Sequence, residues 1–109
     1  MNLYHITRRR DWERSIENGV YTGDTLEGEG FIHCSTREQV LRVANAYYRR
    51  QDGLILLEID PARLVPEVRW EASPEGELFP HLYGPLNREA VRRVFDFPPS
   101  EDGIFHFPA

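Results

Sequence analysis

The sequence predicts an α+β domain: a mixed, mostly antiparallel sheet with two to three helices. Three observations predict it. Strand-like and helix-like stretches alternate irregularly, in the order β-α-β-α-β-β-β-α-β, with no internal repeat. Leu54–Ile59 is almost continuously apolar, as a central strand covered on both faces would be. The chain has 109 residues, of which 40% are hydrophobic; that supplies one core and is too little for two, so a single domain over residues 1–109 is expected.

Each element has its own local reason. Residues 3–6 alternate, with Tyr4 and Ile6 on one face and Leu3, His5 and Thr7 on the other. Thr7 is placed to cap a helix through about Asn18, on which Trp12 and Ile16 share a face. Arg8, Arg9 and Arg10 begin that helix at the end unfavourable for cations; they read first as a solvated turn, and second as a local anion site beside His5. Gly19 stops the helix. Residues 20–29 read as a flexible acidic loop carrying Asp24, Glu27 and Glu29, either a lid or a connector.

A second strand is expected over residues 31–34. Ser35 then caps a helix, with Glu38 completing a capping box. Val40, Val43, Ala44 and Tyr47 form its core-facing stripe, and it runs to about Arg50. Asp52-Gly53 turns into the central strand, which Asp60-Pro61 ends. Residues 64–70 make a strand that Pro66 confines to an edge or a late start. Ser73-Pro74-Glu75-Gly76 is a surface turn. Residues 78–83 follow as a strand with Phe79, His81 and Tyr83 on one face, broken by Gly84-Pro85. Asn87 caps a short helix to about Arg93, residues 94–97 return as a strand, and residues 104–107 offer a last short one.

Composition narrows the function. A formal net charge of −5 disfavours a polyphosphate backbone, so no duplex nucleic acid is expected, while a small nucleotide-like ligand in a locally basic cleft stays open. Cys34 is the only cysteine, which excludes an intrachain disulfide and a cysteine-based zinc cluster. No apolar run has the length of a membrane span or a signal peptide, so no membrane partner and a cytoplasmic location are expected. Oligomeric state is left open.

The chemistry is expected at three histidines. His5, His33 and His81 each sit in a short apolar run, where one alone would be a hydrogen-bonded core residue. Thr7, Ser35 and Tyr83 each follow a histidine by two positions, so each pair shares a strand face. Such faces suit a ribose or a phosphoryl group, and convergence in one cleft predicts partly exposed rings. His106 reads as structural. No close histidine pair supports zinc, so no metal is expected. Cys34 faces away from His33 and reads as a small core residue. Glu71, after Trp70 at a strand exit, reads as a surface carboxylate or as a base at the cleft edge. Tyr47 and Tyr48 read as helix packing, with Tyr83 the candidate to stack on a ligand ring.

Tyr4-His5-Ile6, Gly30-Phe31-Ile32-His33-Cys34-Ser35, the apolar strand ending at Ile59-Asp60, Arg69-Trp70-Glu71 and Pro80-His81-Leu82-Tyr83-Gly84-Pro85-Leu86 resemble the small bacterial family catalogued as domain of unknown function 952. That family is similar in fold to ADP-ribosyltransferases and RNA 2'-phosphotransferases, which cradle NAD between two small, mostly antiparallel sheets. The resemblance implies a split sheet, NAD as substrate, and a possible transferase activity. It implies that His5 orients the ribose, and that His33 and Ser35 shape the nicotinamide pocket. His81 stands where a carboxylate is common, which puts the usual carboxylate-assisted route in doubt. Two other readings stay open. One is a non-catalytic binder of nucleotides or small ligands. The other is a two-histidine phosphoesterase, suggested by His-x-Thr and His-x-Ser at His5 and His33.

Overall fold

Strand β4 (Leu54–Ile59) is buried along its whole length and lies at the centre of the molecule. The computed structural model describes residues 1–23 and 25–108; Asp24, one of the acids of the expected loop, lies outside them. β4 pairs antiparallel with β1 (Leu3–Arg8) on one side and with β8 (Val91–Asp96) on the other. A second sheet has the order β3 (Ile32–His33), β6 (Leu78–Tyr83) and β5 (Glu67–Ala72). A third is the short pair β2 (Val20–Tyr21) and β7 (Leu86–Asn87). The α-helices among the described residues are α1 (Arg9–Asn18), the single turn α2 (Leu26–Glu29), and α3 (Arg37–Tyr47).

The apolar run of β4 explains this arrangement. Its side chains alternate between two cores. Ile55, Leu57 and Ile59 pack with Trp12, Ile32 and Leu82. Leu54 and Leu56 pack with Val40, Ala44, Phe97 and Phe105. The first core thus ties the second sheet to the first, and the second core holds α3 and the C-terminal segment. The backbones of the two larger sheets touch at one bridge, where Tyr4 and Ser35 exchange two N–H···O bonds of 2.8 Å.

Several local expectations changed under these long-range pairings. Every strand pairing among the described residues is antiparallel, as the mostly antiparallel expectation had it, without the parallel part of a mixed sheet. Thr7 does not cap α1. The six-residue β4 draws β1 out to Arg8, which pairs with Leu54, so Thr7 lies within the strand. Ile16 is 64% exposed, because α1 buries Trp12 and Ser15 instead. The acidic loop contains β2 and α2.

Ser35 is not the cap of α3. The bridge to Tyr4 keeps its backbone extended, and the helix starts one residue later. Thr36 caps it, with Gln39 returning the bond in a complete capping box. The expected helix after Asn87 is a single 3-10 turn, Arg88–Ala90, since β8 is recruited early to the edge of β4. The Asn87 side chain instead accepts from the Val65 backbone and donates to the Arg63 carbonyl. Residues 104–107 form no strand. Gly19 ends α1 at φ 81, as its position suggested.

Candidate functional site

A cleft of about 630 Å³ opens between β1, the β3–β6 pair and the later turns of α3. That volume falls within the range of small-molecule sites. His33, Ser35, His81, Arg8, Tyr47 and Gln51 all line it, with Tyr47 at the end of α3 and Gln51 beyond it. Tyr4, bonded to Ser35, marks the first end of β1, and Arg8 the last. At the usual strand rise, these ends are roughly 13 Å apart.

Register places the histidines. His33 lies directly opposite His81 in the β3–β6 pair, and their rings meet edge to face with centroids 5.2 Å apart. Phe31 stacks on His81 at 4.1 Å and meets His33 edge-on at 4.7 Å. The His33 side chain is 52% exposed, and its Nε2 lies 3.2 Å from the Glu29 carboxylate. The His81 side chain is 13% exposed, and its Nδ1 meets Glu71 Oε1 at 2.8 Å. The same carboxylate oxygen accepts the Tyr83 hydroxyl at 2.5 Å. The bonds from Tyr83 and His81 hold the Glu71 carboxyl below the ordinary glutamate range, so it is ionised near neutrality.

A carboxylate only accepts, so His81 Nδ1 carries the proton and a neutral His81 has its lone pair on Nε2. Nε2 meets no partner among the described residues. No fully buried side-chain nitrogen there lacks a partner either, so Nε2 is reached by solvent, at a residue that borders the cleft.

His5 is held differently. Its ring is buried, against the expectation of partial exposure, although the residue borders the cleft. Nδ1 donates to the His33 carbonyl at 2.5 Å, and Nε2 lies 2.8 Å from the Tyr21 hydroxyl. That hydroxyl is also 2.6 Å from Thr7 Oγ1. β1, β2 and β3 are thereby tied through one imidazole. Such a residue positions its neighbours rather than offering a free nitrogen to a ligand. Thr7 is likewise engaged by Tyr21, whereas the Ser35 hydroxyl meets no partner among the described residues and is not sealed from solvent.

Of the other expected residues, Tyr83 does not border the cleft: Arg69 covers its ring at 4.2 Å and Glu71 holds its hydroxyl. Glu71 lies off the cleft and accepts from His81 and Tyr83. Cys34 is buried and its thiol is pushed far above the ordinary range by desolvation, which suits packing and not nucleophilic attack. Trp70 and His106 are exposed.

Three cleft-side residues stand differently from their sequence reading. Tyr21 fell in the presumed loop; its signal was the apolar pair that follows Gly19. Tyr47, 75% exposed at the cleft rim, was assigned to the helix core. Arg8 borders the cleft, while Arg9 pairs with Asp96. Among the described residues, no group of three or more His, Cys, Asp and Glu side chains is arranged to hold a metal ion. No helix among them is long and apolar enough to cross a membrane.

Residues 6–94 match the family described as "Protein of unknown function (DUF952)". Among solved structures, the crystal structure of protein CC0527 from Caulobacter crescentus is 34% identical, with a TM-score of 0.88 over 97% of this chain and 94% of that one. The solution structure of CC0527 is 36% identical, with a TM-score of 0.82 over 94% of this chain and 90% of that one. No curated protein matches the chain.

Proposed function

The chain belongs to the DUF952 family, and from its cleft we propose that it is an NAD- or nucleotide-utilising enzyme of the ADP-ribosyltransferase kind. The observation that carries the reading is the cleft itself. It lies between two separate three-stranded antiparallel sheets, with His5 on the first strand and His33 and Ser35 at the strand bridged to it. The family resemblance leads us to read such a cleft as a cradle for NAD.

In this reading, His33 and the free Ser35 hydroxyl line the nicotinamide pocket. His81 closes the opposite wall. His5 holds the His33 backbone and Tyr21 in place, and so fixes where the ribose sits. Arg8 meets the diphosphate at the far end of β1, and the exposed Tyr47 supplies a face for the second ring. Catalysis then rests on positioning and on stabilising the oxocarbenium-like ribosyl cation as nicotinamide leaves.

The phosphoesterase reading fits less well. It needs both motif histidines as acid and base, and both His5 nitrogens are already engaged. Calorimetry with NAD, ADP-ribose and nicotinamide tests the proposal, together with chromatography of released nicotinamide. Saturable NAD binding that His33→Ala removes from a still-folded protein is expected. No binding of any of the three at millimolar concentration would sink it.

A further inference from the structure

At the cleft wall, His81 is paired with a carboxylate that stands behind it, Glu71. Glu71 and His81 come from adjacent strands; Glu71 pairs with Phe79 in register, one step along the same face from His81. The Glu71 carboxylate bonds His81 Nδ1 at 2.8 Å and is itself fixed by the Tyr83 hydroxyl at 2.5 Å. Phe31, stacked at 4.1 Å, sets the plane of the imidazole. The ring is thus held in orientation and tautomer, with an unpartnered, solvent-reached Nε2 on a residue that borders the cleft.

Resting on the reading of the cleft as an NAD site, we infer that His81 Nε2 is the base that deprotonates a hydroxyl acceptor, water or an alcohol, with Glu71 as its positioning residue. A deprotonating base is needed when the nucleophile is a neutral O–H group, and is superfluous for a carboxylate acceptor. The acceptor oxygen forms a bond to the anomeric carbon of the nicotinamide ribose. The bond from that carbon to the pyridinium nitrogen breaks, and its electron pair neutralises the nicotinamide. The acceptor's proton passes to His81 Nε2 and then to solvent. Glu71 stays ionised and stabilises the imidazolium. The products are nicotinamide, a proton, and ADP-ribose either free or linked through oxygen.

Two measurements on the full chain test this, in wild type, Glu71→Gln and Glu71→Asp. Nitrogen-15 NMR of His81 reads the tautomer without any nucleotide. A proton on Nδ1 in wild type, lost or mixed in Glu71→Gln, supports the pair; an Nε2–H tautomer in wild type, or no change in Glu71→Gln, overturns it. The second measurement is steady-state nicotinamide release. Glu71→Gln should lower kcat by about 10²- to 10⁴-fold, the upper figure being the loss seen when the carboxylate of a serine protease triad is made an amide. KM should stay within about twofold, since the change is confined to a step after binding. Glu71→Asp should recover part of kcat. Unchanged kcat in Glu71→Gln overturns the inference, as does a rise in KM alone. A wild type that fails to bind NAD removes the proposed function and leaves the tautomer measurement to decide the pair.

Discussion

At the scale of single residues, the site depends on which of two neighbours takes which task. Ser35-x-x-Glu38 and Thr36-x-x-Gln39 both spell a capping box, and the helix uses the second. Thr36→Ala should therefore cost about 1 kcal/mol in urea unfolding. Ser35→Ala should change stability by less than about 0.5 kcal/mol, because its hydroxyl bonds nothing among the described residues. It should weaken nicotinamide binding instead. Arg8 and Tyr47 carry a complementary expectation. Arg8→Gln or Tyr47→Ala should weaken NAD and ADP-ribose in calorimetry and leave nicotinamide affinity unchanged, since both line the cleft at the ends of β1 and α3 that lie away from Ser35. Equal loss for all three ligands would show that these residues shape the whole cleft and do not contact one end of the ligand.

At the scale of elements, the β5–β6 hairpin is both a wall of the cleft and a packed part of the fold. It is clamped onto the start of α3, where Gln39 donates to the Leu78 carbonyl and Arg42 forms a two-pronged pair with Glu77. Within it, the Tyr83 bond first and the His81 bond second keep the Glu71 carboxyl below its ordinary value. A lowered folded-state value means stabilisation fully present above the unfolded glutamate value and lost as pH falls through the folded one. The Tyr83 hydroxyl is raised, mainly by the same bond, so its share is present below the ordinary tyrosine value and lost as pH rises through the raised one. The stability difference between wild type and Glu71→Gln should thus be flat around neutrality and shrink below about pH 4. Urea melts across that range check it; a difference that does not vary with pH would mean the carboxylate contributes no proton linkage.

At the scale of the whole molecule, β4 makes one cooperative unit out of two sheets. Leu56 faces the core of α3 and the C-terminal segment, and Leu57 faces the core shared with β3 and β6. Both are fully buried, so Leu56→Ala and Leu57→Ala should each cost about 2–5 kcal/mol. Both variants should still unfold in a single transition seen alike by far-UV and tryptophan signals, because one strand belongs to both cores. Separate transitions would mean that the two sheets fold as independent bodies and that the cleft between them is not rigid.

The sequence by itself determined the pieces whose causes are local. The continuous apolar run gave away β4, helix spacing located α3 to within a few residues, and period-two alternation put Tyr4 and Ile6 opposite Leu3 and His5. It also brought the three histidine strands forward as a group, and its motifs pointed to the family that the chain belongs to. Tertiary structure decided everything that rests on bonds between distant residues. The pairing of Arg8 with Leu54 moved the start of α1, and the bridge from Tyr4 to Ser35 moved the start of α3. Tyr21, held in a two-residue strand by β7, engaged both Thr7 and His5. The bond that His81 donates to Glu71 joins residues ten positions apart on adjacent strands and sets a tautomer that no local pattern encodes. Periodicity reports which face of an element is apolar; only register between elements determines which polar atoms on those faces meet.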